Sequence, residues 1–150
     1  MNDVYFRCMQ CHEYLDAGGR LAIVKLVNTN IISNEGENAP INVQKVLSCT
    51  EYIGNSKITQ DFLSRHISHN VIFTALDDMF DSDDWLDLLP IGNVLDYDLK
   101  PRSFVEKLGM KSWTDVETFM KSSDNPPLWT ENLIMMEKAK NKFNQLLQSK

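Results

Sequence analysis

Glycine and proline are scarce in this chain, six and five of 150 residues, and no low-complexity tract or internal repeat interrupts it. That composition excludes fibrous and linker-like classes. Extended disorder is excluded as well, because Trp85, Trp113, Trp129 and seven phenylalanines offer large apolar surfaces to bury. Long hydrophobic runs are also missing. The longest, Leu21 to Val27, is broken by Lys25 and is far too short to span a bilayer. Met1 to Arg7 shows no basic segment followed by an apolar one, so no secretory signal is expected. Cysteine is limited to three, an odd number that suits reduced thiols better than a disulfide framework, and the expected compartment is the cytoplasm. Lysine and arginine are absent from the whole interval between Arg65 and Lys100.

The length suits one domain able to bury its own core, expected to run from residue 1 to 150. Val4 to Met9, rich in Val, Tyr and Phe, reads as a strand that runs into a tight turn at Cys8–Cys11. Asp16 to Gly19 reads as a break, and Leu21 to Val27 as a second, buried strand. Asn28 to Pro40 has loop composition. Ile41 to Cys49 fits either a strand or a short helix. Ile58 to His69 has helical periodicity, with Phe62, His66 and His69 on one side. Val71 to Phe73 follows as a strand. Ser103 to Leu108 and Asp115 to Lys121 read as short helices, the second opened by Thr114 and Glu117 in a capping box. The last helix, Glu131 to Gln148, is expected to be capped by Thr130 and to face the core with Leu133, Met136, Phe143 and Leu147. The fold class is therefore α+β: a small N-terminal sheet, with helices mainly in the C-terminal half.

Cys8-Met9-Gln10-Cys11-His12 matches the C-x-x-C-H pattern of c-type haem attachment, but no export signal or distal ligand segment accompanies it. A thioredoxin-like role fits poorly, because the chain breaks soon after the pair instead of opening a helix. Zinc is the better metal. Two thiolates in one turn can share an ion, and His66 and His69, three apart, can present their rings from one helix face. Cys49 or His12 could stand in for either. Four protein donors would make the site structural, since no position is left for water. The plain alternative is a pair of reduced thiols near a turn, with His66 partly buried beside Phe62.

No catalytic pattern is complete. Asp81-Ser82-Asp83-Asp84 begins like a calcium loop, then places Trp85 and Leu86 where a ligand and the turn glycine belong. Gly18-Gly19 lacks the surroundings of a phosphate loop. What stands out is charge. The chain carries a net charge of −6, and the excess sits in Asp77, Asp78, Asp81, Asp83, Asp84 and Asp87. Such a run is also what a solvated surface carries. Here it is interleaved with Met79, Phe80, Trp85 and Leu86, a mixture suited to steering and anchoring a basic partner. The expectation is a non-catalytic binding module that engages a basic protein through Asp77 to Asp87 with Trp85. It would contact neither nucleic acid nor membrane. Bacterial immunity proteins and antitoxins, which neutralise toxins such as nucleases, belong to this physical class of charge and size. The contrasting expectation is a zinc-dependent enzyme or regulator using Cys8, Cys11, His66 and His69.

Overall fold

The computed structural model describes residues 4–31, 39–54, 56–75, 83–92 and 94–149, with the backbone alone at 20–23, 39, 75, 83 and 84. They fall into two compact units, Met1–Asp83 and Asp84–Lys150. The fold is α+β, with its sheet in the N-terminal half as the residue pattern implies.

In the first unit the strands β1 (Val4–Cys8), β2 (Glu13–Gly18), β3 (Ala39–Pro40) and β4 (Val71–Ala75) lie in the order β3-β4-β1-β2. Their pairings are antiparallel. Val4, Phe6 and Cys8 alternate onto one face of β1 and are fully buried. On that face the Phe6 ring meets Phe73 of β4 at 5.6 Å and Tyr52 at 5.9 Å. The glycine signal at residues 16–19 marks a bulge instead of a break. Val4 pairs with Gly18 and Tyr5 with Asp16, which leaves Ala17 as the extra residue. Gly18 takes φ +102° there, and its N–H donates to Asp16 Oδ1 at 2.8 Å.

Four helices complete this unit: α1 (Arg20–Asn28), α2 (Val43–Ser48), α3 (Thr50–Ile53) and α4 (Lys57–Arg65). Leu21 to Val27, expected as a strand, is therefore helical. A strand would put Val24 and Leu26 on one face, yet Val24 is exposed and Leu26 is buried. A helix sets positions two apart on opposite sides. The helix closes with Asn30 in the left-handed region, Asn30 N donating to Val27 O and Ile31 N to Leu26 O, the hydrogen bonds of a Schellman motif. The undecided segment 41–49 is helical over α2, with the Asn42 side chain accepting from Lys45 N at 3.2 Å.

The second unit holds β5 (Leu89–Pro90), α5 (Pro101–Glu106), α6 (Trp113–Ser122) and α7 (Leu133–Gln148), with single-turn 3-10 segments at Asp96–Asp98 and Leu128–Glu131. Its centre is aromatic. Trp113 lies 5.7 Å from Phe143 and 6.3 Å from Trp129, and Phe104 packs edge-on to Phe119 and Trp129. Trp129 satisfies its one donor on Leu99 O at 2.7 Å. Helix α5 starts at Pro101, two residues earlier than expected, because proline suits the first helical turn. Helix α6 is capped by Ser112 and not by Thr114. Helix α7 is capped by Asn132, not Thr130, and its buried residues are Ala139 and Phe143. Leu133, expected in the core, is 88% exposed.

Candidate metal centre and the acidic segment

Cys8 pairs with Val71 at one end of the β1–β4 ladder. The residues that leave β1 after Cys8 and those that enter β4 before Val71 therefore emerge at the same sheet edge. Two turns meet there. In the first, Cys8 to His12, His12 takes φ +56° and its N–H donates to Cys8 O at 3.1 Å. In the second, α4 stops at Arg65 and His69 N donates to His66 O at 3.0 Å. The two histidines thus come together on a turn, where a continuous helix face was expected. Two hydrogen bonds lash the turns to each other: Met9 N donates to Asn70 O at 3.0 Å, and Asn70 N to the side-chain Oε1 of Gln10 at 2.7 Å.

The structure brings Cys8, Cys11, His66 and His69 together, one potential ligand atom from each lying within 4.8 Å of all the others. Both imidazoles turn Nδ1 inward. His69 Nδ1 lies 3.5 Å from Cys8 Sγ, 3.4 Å from Cys11 Sγ and 3.2 Å from His66 Nδ1. A tetrahedral zinc with bonds of about 2.3 Å to sulfur and about 2.0–2.1 Å to nitrogen separates its ligands by about 3.5 Å for N···S and about 3.3 Å for N···N. The three distances, all measured from His69, match three of the six edges of that tetrahedron, and the other pairs lie within 4.8 Å. Cys8 and His66 are buried, His69 is half-buried and Cys11 faces outward. Neither Cys49 nor His12 belongs to this group. Cys49 instead lies with its thiol 3.8 Å from Thr29 Oγ1.

The surroundings favour the uncharged forms of Cys11 and His66. Desolvation pushes the Cys11 thiol up, and the neighbouring Cys8 and Glu13 push it the same way against Arg65. Burial lowers His66 and favours the neutral ring, while its Glu13 contact pulls in the opposite direction. Two thiols side by side resist ionising together, and a divalent ion removes that resistance. Glu13, unnoticed in the sequence, stands 3.0 Å from His66 Nε2, and Arg65 Nη1 reaches the same carboxylate oxygen at 3.2 Å. Glu13 lies two positions after Cys11 and Arg65 directly before His66, so a charged residue close to each ligand pair was the available signal.

The acidic segment resolves in part. Asp77, Asp78 and Asp81 lie outside the described residues. Asp83 and Asp84 begin a 3-10 turn, Asp83–Asp87, with only their backbone described. Asp87 is paired within the second unit: Arg102 Nη2 reaches its Oδ1 at 2.6 Å and Lys142 Nζ lies at 3.8 Å. Trp85, which the sequence leaves open between an exposed anchor and a core residue, is 2% exposed. The Lys100 ammonium sits 4.0 Å from the centre of its ring. A buried indole over a cation is a core contact, not a docking handle.

Comparison with protein-family models, curated proteins and solved structures finds no match for the chain. The chemistry of its own residues thus carries the functional reading. Among the described residues, no helix is long and apolar enough to cross a membrane.

Proposed function

We propose that the chain is a non-catalytic binding module whose first unit is held by a structural zinc on Cys8, Cys11, His66 and His69. The observation that carries the metal is the agreement between the N···N and N···S distances and the edges of a zinc tetrahedron. Bound zinc would neutralise the two thiolates and pin two turns far apart in sequence. Its coordination would be filled by protein. A metal-activated water needs an open position, and a full set of four donors leaves none, which favours structure over catalysis. Three free cysteines and a thiolate site suit the cytosol, where thiols stay reduced.

For the binding partner, the supporting observation is charge. Asp87 is engaged by Arg102, and the run contains five further aspartates, Asp77, Asp78, Asp81, Asp83 and Asp84. A basic protein is the counterpart such a field steers, and an immunity or antitoxin role toward a nuclease-like toxin is the form we propose.

Metal analysis of the chain purified without added zinc tests the first statement. One zinc per chain, lost in Cys8→Ser and His69→Ala, is expected; a minor fraction of metal sinks it. Spectra of the cobalt-substituted protein separate four protein donors from three plus water, the arrangement a zinc-dependent enzyme or regulator would need. Capture of a basic partner that survives Asp81→Asn, Asp83→Asn and Asp84→Asn together would overturn the second statement.

A further inference from the structure

We propose that Glu13 is the positioning residue of the zinc centre, holding His66 so that Nδ1 and not Nε2 meets the metal, with Arg65 holding Glu13 in turn. This deepens the zinc reading and rests on it. His66 is 1% exposed, and its Nε2 lies 3.0 Å from Glu13 Oε2. A carboxylate can only accept there, so Nε2 must carry the proton. The lone pair is then left on Nδ1, the atom 3.2 Å from His69 Nδ1. The imidazole is gripped from behind by a group that fixes its tautomer and its plane, and that makes the ligating nitrogen a stronger donor.

Local geometry keeps Glu13 in place. It is the first residue of β2, set opposite Cys8 in the β1–β2 ladder. The ladder that delivers one sulfur ligand therefore also delivers the carboxylate. Arg65, the last residue of α4, shares Oε2 with His66, and its side chain is 51% exposed against 17% for Glu13. The chain reads C-x-x-C-x-E at residues 8–13 and R-H-x-x-H at residues 65–69, one ion-pair member accompanying each pair of ligands. Charge closes as well. Two thiolates balance Zn²⁺ and Glu13 balances Arg65, so a site with a buried histidine carries no net charge.

The test uses the full chain. Zinc affinity is measured by competition with a chromophoric chelator for the unaltered protein, Glu13→Gln, Glu13→Leu and Arg65→Met. Long-range proton–nitrogen NMR on the zinc-loaded protein reads which His66 nitrogen bears hydrogen, and cobalt substitution gives a visible band sensitive to ligand field. The expected results are a proton on His66 Nε2 and an affinity about 10–100-fold lower in Glu13→Leu. Glu13→Gln should lose less, because its amide oxygen still accepts. Arg65→Met should lose least, and the cobalt band should shift in both Glu13 variants. Zinc on Nε2 of His66 overturns the inference. So does a cobalt band left in place by both Glu13 substitutions, which would mean that Glu13 only braces the fold. If Glu13→Leu does not fold, Glu13→Gln carries the same two spectroscopic outcomes. Failure of the unaltered protein to bind zinc overturns the parent reading too, and differs from a zinc-bound His66 that ignores Glu13.

Discussion

Lys100 is the most expensive side chain in the second unit to keep charged. It is fully buried, and desolvation pulls its pKa down to about 8. The Asp98 carboxylate at 3.2 Å, the Asp98 carbonyl at 3.0 Å and the Trp85 ring retain the charge near neutral pH. A folded-state value below the unfolded one means that the unfolded chain binds the extra proton between about pH 8 and 10.5. The penalty is fully present below about pH 8 and disappears above 10.5, so this residue makes stability rise with pH across that window, by about 3 kcal/mol in all. Tyr52, whose hydroxyl burial pushes up, acts in the opposite sense as the pH passes its unfolded value. Comparison with Lys100→Met cancels Tyr52. Urea midpoints should show the unaltered chain gaining on that variant from pH 8 to 10.5, and a pH-independent difference would contradict the argument. At this scale the sequence was most legible where residue type is itself chemistry. Two thiols and two imidazoles name a metal wherever they meet. Trp85 was illegible for the complementary reason: aspartates around a tryptophan say nothing about where its ring goes, and here the ring is covered by a lysine fifteen positions on.

Elements were legible by type more readily than by boundary. The β1 and β4 strands and the helices α4 to α7 follow from periodicity, whereas α1 was hidden by a run of apolar residues that suits a buried strand equally well. Caps were the main source of error, because Ser, Thr and Asn compete locally for the same N–H groups. At the start of α7, Thr130 turns back to donate to Pro127 O at 2.7 Å. Asn132 then caps, accepting from Ile134 N at 2.9 Å and Met135 N at 3.3 Å. That two-residue shift places Leu133 in the first turn, outside the stripe of Ala139 and Phe143. Asn132→Ala should therefore cost about 1 kcal/mol of stability in denaturant titration. Thr130→Ala, which removes no acceptor from the helix N–H groups, should cost less. The reverse ranking would return the cap to Thr130.

For the molecule as a whole, the metal ligands come from the two edges of a long excursion. The chain leaves β1 after Cys8, builds β2, β3 and four helices, and returns at Val71 directly opposite its point of departure. Spacing alone gave no hint of this, since Cys11 and His69 are 58 positions apart and only the β1–β4 register makes them neighbours. A zinc bound there ties off that entire excursion and should contribute to folding of the first unit by mass action. Where free zinc stands about a thousandfold above its Kd, the contribution is about 4 kcal/mol. All three tryptophans, Trp85, Trp113 and Trp129, lie in the second unit, which provides a built-in reporter. A strong chelator should lower the thermal midpoint seen by far-ultraviolet circular dichroism, and amide signals of β1, β4 and the 66–69 turn should collapse in NMR. The ligands lie entirely within Met1–Asp83 and the aromatic core entirely within Asp84–Lys150, so indole emission should move less than those amide signals at equal chelator. Amide signals of β1 and β4 that persist with zinc removed would show that the first unit stands without its metal, and the two turns would then be held by the ladder and their hydrogen bonds alone.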